Sequence, residues 1–514
     1  MLYIEVIILI RQTMYTFFIL FTINSNTYNY ERNRPPIVTV ENLVVAHPHN
    51  NTTISGAGHN IWGQSIPGIP LYLNGEEITN RTPEGFFSLF YTLEYGENHL
   101  IFSQQGQEDI ERIITRGPAV PAPPVAEQPP INIFPTYQFH YATVTSPVAW
   151  LFPNSTQIGG SDILVEQGMT DRIIAQRGNW LQLSNGYWIQ TGNVSRFSGE
   201  LPKNELEGTI ARDRNIQLVN FRVMGNHTPV ARASFDKETN SITAYFGMHT
   251  SPPGLDDTRF ENDNIFSEIS SGIDHNGVSY IRLVIDENYR VSGFDFTTHR
   301  YTLNYEEFNW LVLTVKTPRP LSPVINKPFY GFTFIVDPGH GGTDFGAIGP
   351  MGTYLSEKHI VLSVSEKLRD MLINLGANVI MTRYYNETTV ALHDRVLMSR
   401  DVRPDMFLSM HGNSVAVTTN ATNIRGFTIW YRNQNSYTIS RNLLNRMRYI
   451  NPYTNRDNNV NRANFYVVRP TWAPHTLLEL SFLSNIDDFA WMIDEVNQER
   501  LAIYTIWALI DYFS

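Results

Sequence analysis

The sequence predicts a multidomain protein, in which several all-β modules precede a C-terminal α/β domain with a mostly parallel sheet flanked by helices. From residue 37 to about residue 328, short apolar runs alternate with polar residues and are separated by turns such as Asn74-Gly75, as in antiparallel strands. After Phe329, strand-like runs alternate with amphipathic helical segments, which indicates a parallel sheet with helices on both faces. The 514 residues also exceed what a single hydrophobic core usually organises.

The composition is that of a folded protein and excludes several functional classes. Hydrophobic residues make up 42% of the chain and charged residues 17%. The formal net charge of -11 argues against a nucleic-acid partner, because such proteins usually carry a basic surface. There is no cysteine, which excludes disulfides, thiolate metal ligands and thiol nucleophiles.

The N-terminus contains two apolar runs, residues 2–10 and 15–23. Each has the length of the apolar part of a signal peptide and is too short to span a bilayer alone. We therefore predict an export signal or membrane anchor at residues 1–36, and with it an extracellular location, either secreted or membrane-anchored. The alternative is a buried N-terminal strand or helix.

Three segments of the β-rich region differ in composition. Residues 37–117 resemble the immunoglobulin-like modules of bacterial surface proteins in their strand pattern and their LNG turn. Residues 118–135 include PAVPAPPVAEQPP, a proline-rich sequence typical of an extended linker. Residues 199–328 are β-rich again, and their last strands are similar to those of domains that target proteins to the bacterial wall.

A further β unit is predicted at residues 136–198. It resembles a bacterial SH3-type repeat in GNW at residues 178–180 and NGYWI at residues 185–189. The resemblance implies an SH3-like domain, and such modules commonly bind wall peptides. The alternative is a solvated spacer with Trp180 and Trp188 in its core.

The C-terminal domain is predicted at residues 329–514. Gly376 is in the position expected for a helix stop after residues 356–375. Predicted strands are residues 332–336, 378–382, 406–410, 426–431 and 475–480; further helices begin near Leu392 and span residues 501–512.

Four residues suited to metal binding or proton transfer fall where the crevice of such a sheet is expected, beyond the carboxyl ends of its strands. His340, in DPGHGG, follows the first strand, and His411, in SMHGN, follows the strand at 406–410. Glu479 lies near the end of the strand HTLLEL. Glu357 occupies the first turn of a helix, where backbone amides favour a carboxylate. Two histidines and two glutamates can therefore converge.

This residue set suits a catalytic zinc, which takes three histidine or carboxylate ligands and keeps one position for water. A carboxylate beside the metal can take the proton of that water and return it to a leaving amine. Gly339, Gly341 and Gly342 would let the backbone approach closely. Taken singly, each histidine could be structural and Glu357 a helix-start carboxylate, whereas Glu479 would be costly to bury without a role.

The last third of the chain resembles the zinc N-acetylmuramoyl-L-alanine amidases. Six segments carry the resemblance, in the family's order: IVDPGHGGTDFGAIG, SEKHIVLSVSEKLRDML, LGANVIMTR, DMFLSMHGNS, RANFYVVR and HTLLELSFLSN. The resemblance implies zinc as cofactor, His340, Glu357 and His411 as its ligands, and Glu479 as the catalytic carboxylate. It also implies peptidoglycan as the partner, cut at the amide between muramic acid and L-alanine, and a location at the cell wall or surface.

Other polar residues of this domain are expected to have supporting roles. Asp337 is expected to support the glycine-rich loop, and His359, His393 and His475 to be structural or exposed. Arg383, Arg395 and Arg469 are expected to hold loops by ion pairing, or alternatively to meet substrate carboxylates.

Two other functions stay open at this level. One is a zinc hydrolase of the same fold that acts on another amide or a peptide bond, because fold does not determine substrate. The other is a non-catalytic protein that binds the wall, which the intact set of four residues disfavours.

Overall fold

The computed structural model describes residues 40–119, 128–135, 139–156, 163–200, 205–224, 227–248, 251–255, 265–303, 306–450 and 460–514. The predicted export segment at residues 1–36 and residues 120–127 of the proline-rich linker lie outside these ranges. Within them, no helix combines the length and apolar character needed to cross a bilayer. The expected multidomain architecture, with a β-rich N-terminal part, is confirmed.

Residues 40–117 form two β-sheets around one core, and we call this unit the sandwich. One sheet has the order β1-β3-β6 and the other β2-β8-β7-β4-β5. Buried residues alternate along β7, as a strand with one solvated face requires. The strands are β1 (Val44–His47), β2 (Thr52–Ile54), β3 (Gly58–Gln64), β4 (Leu71–Leu73), β5 (Glu76–Glu77), β6 (Phe86–Thr92), β7 (Gly96–Gln104) and β8 (Ile110–Arg116).

The next β unit includes the segment predicted to be SH3-like. Its main sheet has the order β15-β14-β13-β10-β16, with β9 and β19 also paired to β13, and β11 and β12 form a separate hairpin. The strands are β9 (Asn132–Ile133), β10 (His140–Val144), β11 (Val148–Leu151), β12 (Ile163–Glu166), β13 (Met169–Arg177), β14 (Trp180–Leu183), β15 (Trp188–Gln190) and β16 (Val194–Ser198).

Two further sheets follow, ordered β22-β17-β18-β26-β25 and β20-β21-β24-β23. They share one core with the preceding unit, since a single buried cluster runs from Ala142 to Val315. The strands are β17 (Glu205–Asp213), β18 (Ile216–Met224), β19 (Thr228–Pro229), β20 (Ala231–Asp236), β21 (Ser241–Phe246), β22 (Gly254–Leu255), β23 (Phe266–Ile273), β24 (Ser279–Ile285), β25 (Gly293–Leu303) and β26 (Glu306–Lys316).

The C-terminal domain has a sheet of order β28-β27-β29-β32-β30-β31. The first four of these strands run parallel to one another. The next strand, β30, is antiparallel to β32. The strands are β27 (Thr333–Pro338), β28 (Asn378–Met381), β29 (Met406–Asn413), β30 (Thr428–Tyr431), β31 (Asn461–Arg462) and β32 (His475–Phe482). The helices are α1 (Glu357–Asn374), α2 (Leu392–Val402), α3 (Tyr437–Met447), α4 (Ile486–Ile493) and α5 (Glu495–Phe513).

Both faces of this sheet are covered. Phe334 and Leu408 belong to the large core shared with α1, α3, α4 and α5. Ile335 and Phe407, their neighbours in sequence, belong to a smaller cluster on the other face, with residues of α2. This alternation explains the continuous apolar runs, because a strand buried on both faces has no solvated position.

The C-terminal domain contacts both β regions. From the sandwich, Asn60 N donates to Val417 O at 2.7 Å, and Phe86 packs edge-on against Phe489 with ring centroids 5.1 Å apart. From the second β region, Phe294 N donates to Thr471 O at 2.8 Å. The β modules are therefore packed directly on the domain that carries the candidate site.

Candidate metal centre and active site

The first candidate ligand, His340, lies in the loop that follows β27. Its backbone has φ 58°, the left-handed region that few residues other than glycine adopt. Gly339, next to it, packs on His411: a Cβ added there would lie 2.3 Å from His411 Cε1. The glycine is thus required for the close approach of the loop to the second histidine.

His340, Glu357 and His411 form the one group of three or more potential ligand residues found in the described part of the chain. Their ligand atoms all lie within 4.8 Å of one another. Glu357 Oε1 is 3.0 Å from His340 Nε2 and 3.0 Å from His411 Nδ1. The structure therefore brings together three of the four residues that the sequence singled out.

Glu357 is fixed by one backbone donor from the loop before α1 and one from the end of β29. Its Oε2 accepts from Ala347 N at 2.7 Å, and its Oε1 accepts from Gly412 N at 2.9 Å. Burial raises the pKa of Glu357, but hydrogen bonds and charge from His340 and His411 outweigh burial and hold that pKa well below its usual value. The residue is therefore a carboxylate at neutral pH, the form that binds metal.

His340 also contacts an acid that the sequence reasoning missed. Its Nδ1 lies 2.8 Å from Asp344 Oδ2, on the side of the ring away from Glu357. Burial lowers the pKa of His340, but Glu357 and Asp344 together raise it to about 9. The signal was a carboxylate four residues after the histidine, because metal-binding imidazoles commonly donate their other N–H to a carboxylate.

Glu479, the candidate acid–base residue, lies on β32 directly beside His411 on β29, as its paired residue. Its side chain is partly exposed, yet its Oε2 is buried and has no hydrogen-bond partner among the described residues. Burial raises the pKa of Glu479 to about 7, with Glu357 also raising it and the two histidines lowering it. A carboxyl group with this pKa can exchange a proton near neutral pH.

Buried charges brace the loop that carries His340. Asp337 accepts hydrogen bonds from Thr382 and Ser409, each at 2.6 Å, and pairs with Arg395. Burial raises the pKa of Asp337, but Arg395 and these hydroxyl groups outweigh it and lower the pKa. Arg395 Nη2 also donates to His340 O at 2.8 Å. The expectation of a loop-supporting Asp337 is confirmed.

Two more arginines also have structural contacts. Arg383 Nη2 donates to Gly339 O at 2.8 Å and to Lys358 O at 2.7 Å, which ties the loop to α1. Arg469 contacts Asn464 and lies over the rings of Trp150 and Tyr466. These contacts agree with loop holding, the first of the two roles expected for the arginines.

The remaining histidines lie outside the ligand group. His475 is buried; its Nδ1 donates to Val467 O at 2.7 Å and its Nε2 accepts from Ser399 Oγ at 3.0 Å. His359 Nδ1 accepts from Ser356 N at the start of α1, at 3.2 Å. His393 Nδ1 lies 3.3 Å from Tyr466 Oη. Each has a partner that accounts for it structurally.

Comparison with known proteins identifies the family of the domain that carries this site. Residues 334–511 match the family model described as N-acetylmuramoyl-L-alanine amidase. A protein named Probable cell wall amidase LytH from Staphylococcus epidermidis is 30% identical over 189 residues, which cover 37% of this chain and 61% of that protein. The uncharacterized protein YqiI of Bacillus subtilis is 30% identical over 187 residues, which cover 36% of this chain and 87% of that protein.

Solved structures similar to this chain include the N-acetylmuramoyl-L-alanine amidase from Clostridium difficile 630. It is 26% identical, with 35% of this chain and 96% of that chain covered and a TM-score of 0.33. The family model covers the C-terminal domain, and the relative from Bacillus subtilis is matched over most of its own length. Through residues 334–511, the chain therefore belongs to the N-acetylmuramoyl-L-alanine amidase family.

Proposed function

We propose that this protein is a zinc-dependent N-acetylmuramoyl-L-alanine amidase, which hydrolyses the amide between muramic acid and L-alanine in peptidoglycan. The observation that carries the proposal is the cluster of His340, Glu357 and His411, with Glu479 beside it, in a domain of the amidase family.

The donor set of the cluster fits zinc. Two imidazoles and one carboxylate are a ligand combination that catalytic zinc sites use, with a further position left for water. Asp344 on Nδ1 of His340 leaves Nε2 of that ring directed at the shared centre. When bound there, zinc supplies a Lewis acid that polarises the substrate carbonyl and lowers the pKa of a water molecule.

Glu479 is proposed to act on protons and not as a ligand. With its pKa near 7, its carboxylate can take a proton from the attacking water and deliver it to the departing amino group of L-alanine. Its buried Oε2, which has no hydrogen-bond partner in the described part of the chain, is available for this exchange. The three cluster residues meanwhile hold the metal, and the bonds from Asp344, Ala347 and Gly412 hold the ligands.

The β modules and the N-terminus complete the proposal. We infer that residues 1–36 export the protein or anchor it to the membrane, that the sandwich is immunoglobulin-like and that residues 136–198 form an SH3-like module. Together with residues 199–328, these modules would hold the enzyme at the wall. Support comes from the β-sheets of these regions and from the name of the relative LytH, a probable cell wall amidase.

Fractionation of cells that produce the protein tests the export of residues 1–36 with the chain they precede. Recovery of the protein only from the cytosol would refute export.

Mass analysis of fragments released from purified peptidoglycan tests the activity. The proposal predicts stem peptides with a free N-terminal L-alanine and glycan chains with a free lactyl carboxyl group. A chelator should abolish their release and added zinc should restore it. Cleavage inside the stem peptide would favour the other amide hydrolase, and no cleavage at all would favour a non-catalytic wall protein.

A further inference from the structure

A groove with a volume of about 570 Å³ lies between the sandwich and the C-terminal domain. Val44, Ala46 and His47 of the sandwich form part of its lining, and Tyr354, Ser414 and Val415 form part of the opposite side. Two domains joined by a long stretch of chain thus build one concavity. Ligand sites occur preferentially at such domain boundaries.

One end of the groove adjoins the candidate metal centre. Gly346 and Ala347 line it, and both contact Glu357: Ala347 N donates to Glu357 Oε2, and a Cβ on Gly346 would lie 2.4 Å from the same oxygen. Ser414, also in the lining, lies three residues after His411. A substrate held with its scissile amide at the cluster can therefore extend into this groove.

Strand β3 attaches the sandwich to both C-terminal loops that line the groove. Asn60 N donates to Val417 O at 2.7 Å, and Asn60 Oδ1 accepts from Ala421 N at 3.3 Å. Four residues further along, Gln64 Nε2 donates to Pro350 O at 3.4 Å. The two attachments fix the position of the sandwich wall relative to the metal centre.

Stacked rings of His47, His59 and Trp62 lie at the sandwich side of the groove. The ring of His47 stacks on Trp62 with centroids 4.5 Å apart and planes 18° apart. His47 Nε2 lies 3.0 Å from His59 Nε2, so that one ring donates and the other accepts. Burial, followed by the charge of His59, lowers the pKa of His47 to about 4. Neutral rings thus form the back of the wall.

The lining combines aliphatic and aromatic side chains with a few hydroxyl groups and, among the described residues, contains no aspartate or glutamate, although the chain has a net charge of -11. A groove of this kind suits the methyl groups of a ligand by apolar contact, and its described lining places no like charge against a ligand that also carries carboxylates. The stem peptide has both, in its alanine and glutamate residues.

We propose that the sandwich supplies one side of a subsite for the stem peptide. Val44, Ala46 and His47 would contact the residues of that peptide that follow L-alanine, and would thereby select among substrates. The inference rests on the proposed function, since the stem peptide is the ligand only if peptidoglycan is the substrate. It assigns the sandwich to substrate recognition, in addition to any role in attachment.

Substitutions that introduce a negative or a positive charge at Val44 test the subsite, because they should change the affinity for the stem peptide in opposite directions. Val44 is 40% exposed on β1, and Ile101, 43% exposed on β7 in the other sheet of the sandwich, is a matched control outside the groove. Calorimetry measures the affinity of a free stem tetrapeptide and of a peptide-free glycan for the full chain, loaded with zinc and carrying Glu479→Gln. Val44→Asp should weaken tetrapeptide binding roughly tenfold by like-charge repulsion, and Val44→Lys should strengthen it. Ile101→Asp should leave it unchanged.

Several results would overturn the inference. They are a tetrapeptide that does not bind, equal effects of Val44→Asp and Ile101→Asp, changes in the same direction for both Val44 variants, or an effect confined to the glycan. Cleavage of purified peptidoglycan by the unmodified protein is measured separately. Failure of cleavage with a charge-dependent tetrapeptide affinity would refute the proposed function alone, and cleavage without that dependence would refute the subsite alone.

Discussion

At the amino end of β29 and β32, Phe407 is paired with His475; four residues later, at the carboxyl end of the same strands, His411 is paired with Glu479. The two pairs lie about 13 Å apart, at the usual rise of a parallel strand. The ring of His475 stacks on Phe407 with centroids 4.5 Å apart, and both its nitrogens have partners. His411 instead faces Glu357, and one carboxylate oxygen of Glu479 has no hydrogen-bond partner among the residues that the structure describes.

The difference lies in what surrounds each end. At the amino end, the segment just before β32 contributes the buried side chain of Trp472. The Nε1–H group of Trp472 donates to Ser399 Oγ at 3.0 Å. At the carboxyl end, backbone N–H groups of Ala347, in the loop before α1, and of Gly412, at the end of β29, hold Glu357. The partners of His475 are a carbonyl and a hydroxyl group, which account for it structurally, whereas His340 and His411 share the carboxylate of Glu357, an arrangement that can bind a metal.

The largest expected effect comes from His411→Ala. Only two protein ligands would remain, so we expect the loss of bound zinc and a fall of muropeptide hydrolysis to background. Zinc content by elemental analysis and product formation by chromatography measure the two effects. A variant that still holds one zinc per chain would show that His411 is not a ligand.

Glu479→Gln should have the next largest effect. The substitution keeps the shape of the side chain and removes its titrating proton, so turnover should fall by on the order of 10²- to 10⁴-fold. Steady-state kinetics on muropeptides measures the change, and zinc content provides the control because it should stay at the level of the unmodified protein. Full activity would mean that another residue acts as the base.

The sequence predicted the chemistry of this end better than its surroundings. His340, Glu357 and His411 could be named because each follows a recognisable strand or starts a helix, and the structure brings them within 4.8 Å; their role as ligands stays a prediction. The contact of Asn60 with Val417 could not be named, because it joins segments more than 350 residues apart in sequence. The groove next to the metal centre follows from that contact.

Local signals also explain the helices that sequence reasoning placed imperfectly. The last helix begins at Glu495 and not at Leu501, because Asp494 caps it by accepting from Val496 N and Asn497 N. Helix α4 was not predicted, although Asn485 caps it in the same way. Its apolar residues recur with helical spacing, but over only eight residues, a length at which a short apolar run is not distinguished from a strand, whereas α1 extends over 18 residues.

Asp344→Asn should weaken the site without removing a ligand. Loss of the carboxylate on Nδ1 of His340 should lower zinc affinity about 10- to 100-fold, as for other residues that orient metal ligands. Competition with a chromophoric chelator measures the affinity. Asp401→Asn is the matched control, because the side chains of Asp344 and Asp401 are 63% and 65% exposed. Equal affinities of the two variants would contradict an orienting role for Asp344.

His475→Gln should have the smallest effect on activity, within about twofold at neutral pH, because His475 contacts no residue of the cluster in its hydrogen bonds. Its effect should appear in stability. Burial lowers the pKa of folded His475 from 6.5 to about 3. Between these values the unfolded chain binds a proton that the folded chain does not, so the free energy of unfolding decreases as the pH falls from 6.5 towards 3.

The measurement for His475→Gln is the slope of the unfolding free energy against pH, obtained from denaturant titrations between pH 7 and pH 4. The variant should show a shallower decrease than the unmodified protein, whatever its absolute stability. An identical slope would contradict the assignment of His475 as a buried neutral residue.

X-ray absorption at the zinc edge tests the central claim most directly, namely that His340, Glu357 and His411 hold the metal while Glu479 stands beside it. Spectra are recorded for the full chain and for its Glu479→Gln and His475→Gln variants, each loaded with one equivalent of zinc. The account predicts the same spectrum for all three, with two imidazole ligands and the remaining scatterers oxygen. Loss of zinc, or of an imidazole or oxygen ligand, in Glu479→Gln alone would contradict it and make Glu479 part of the metal site.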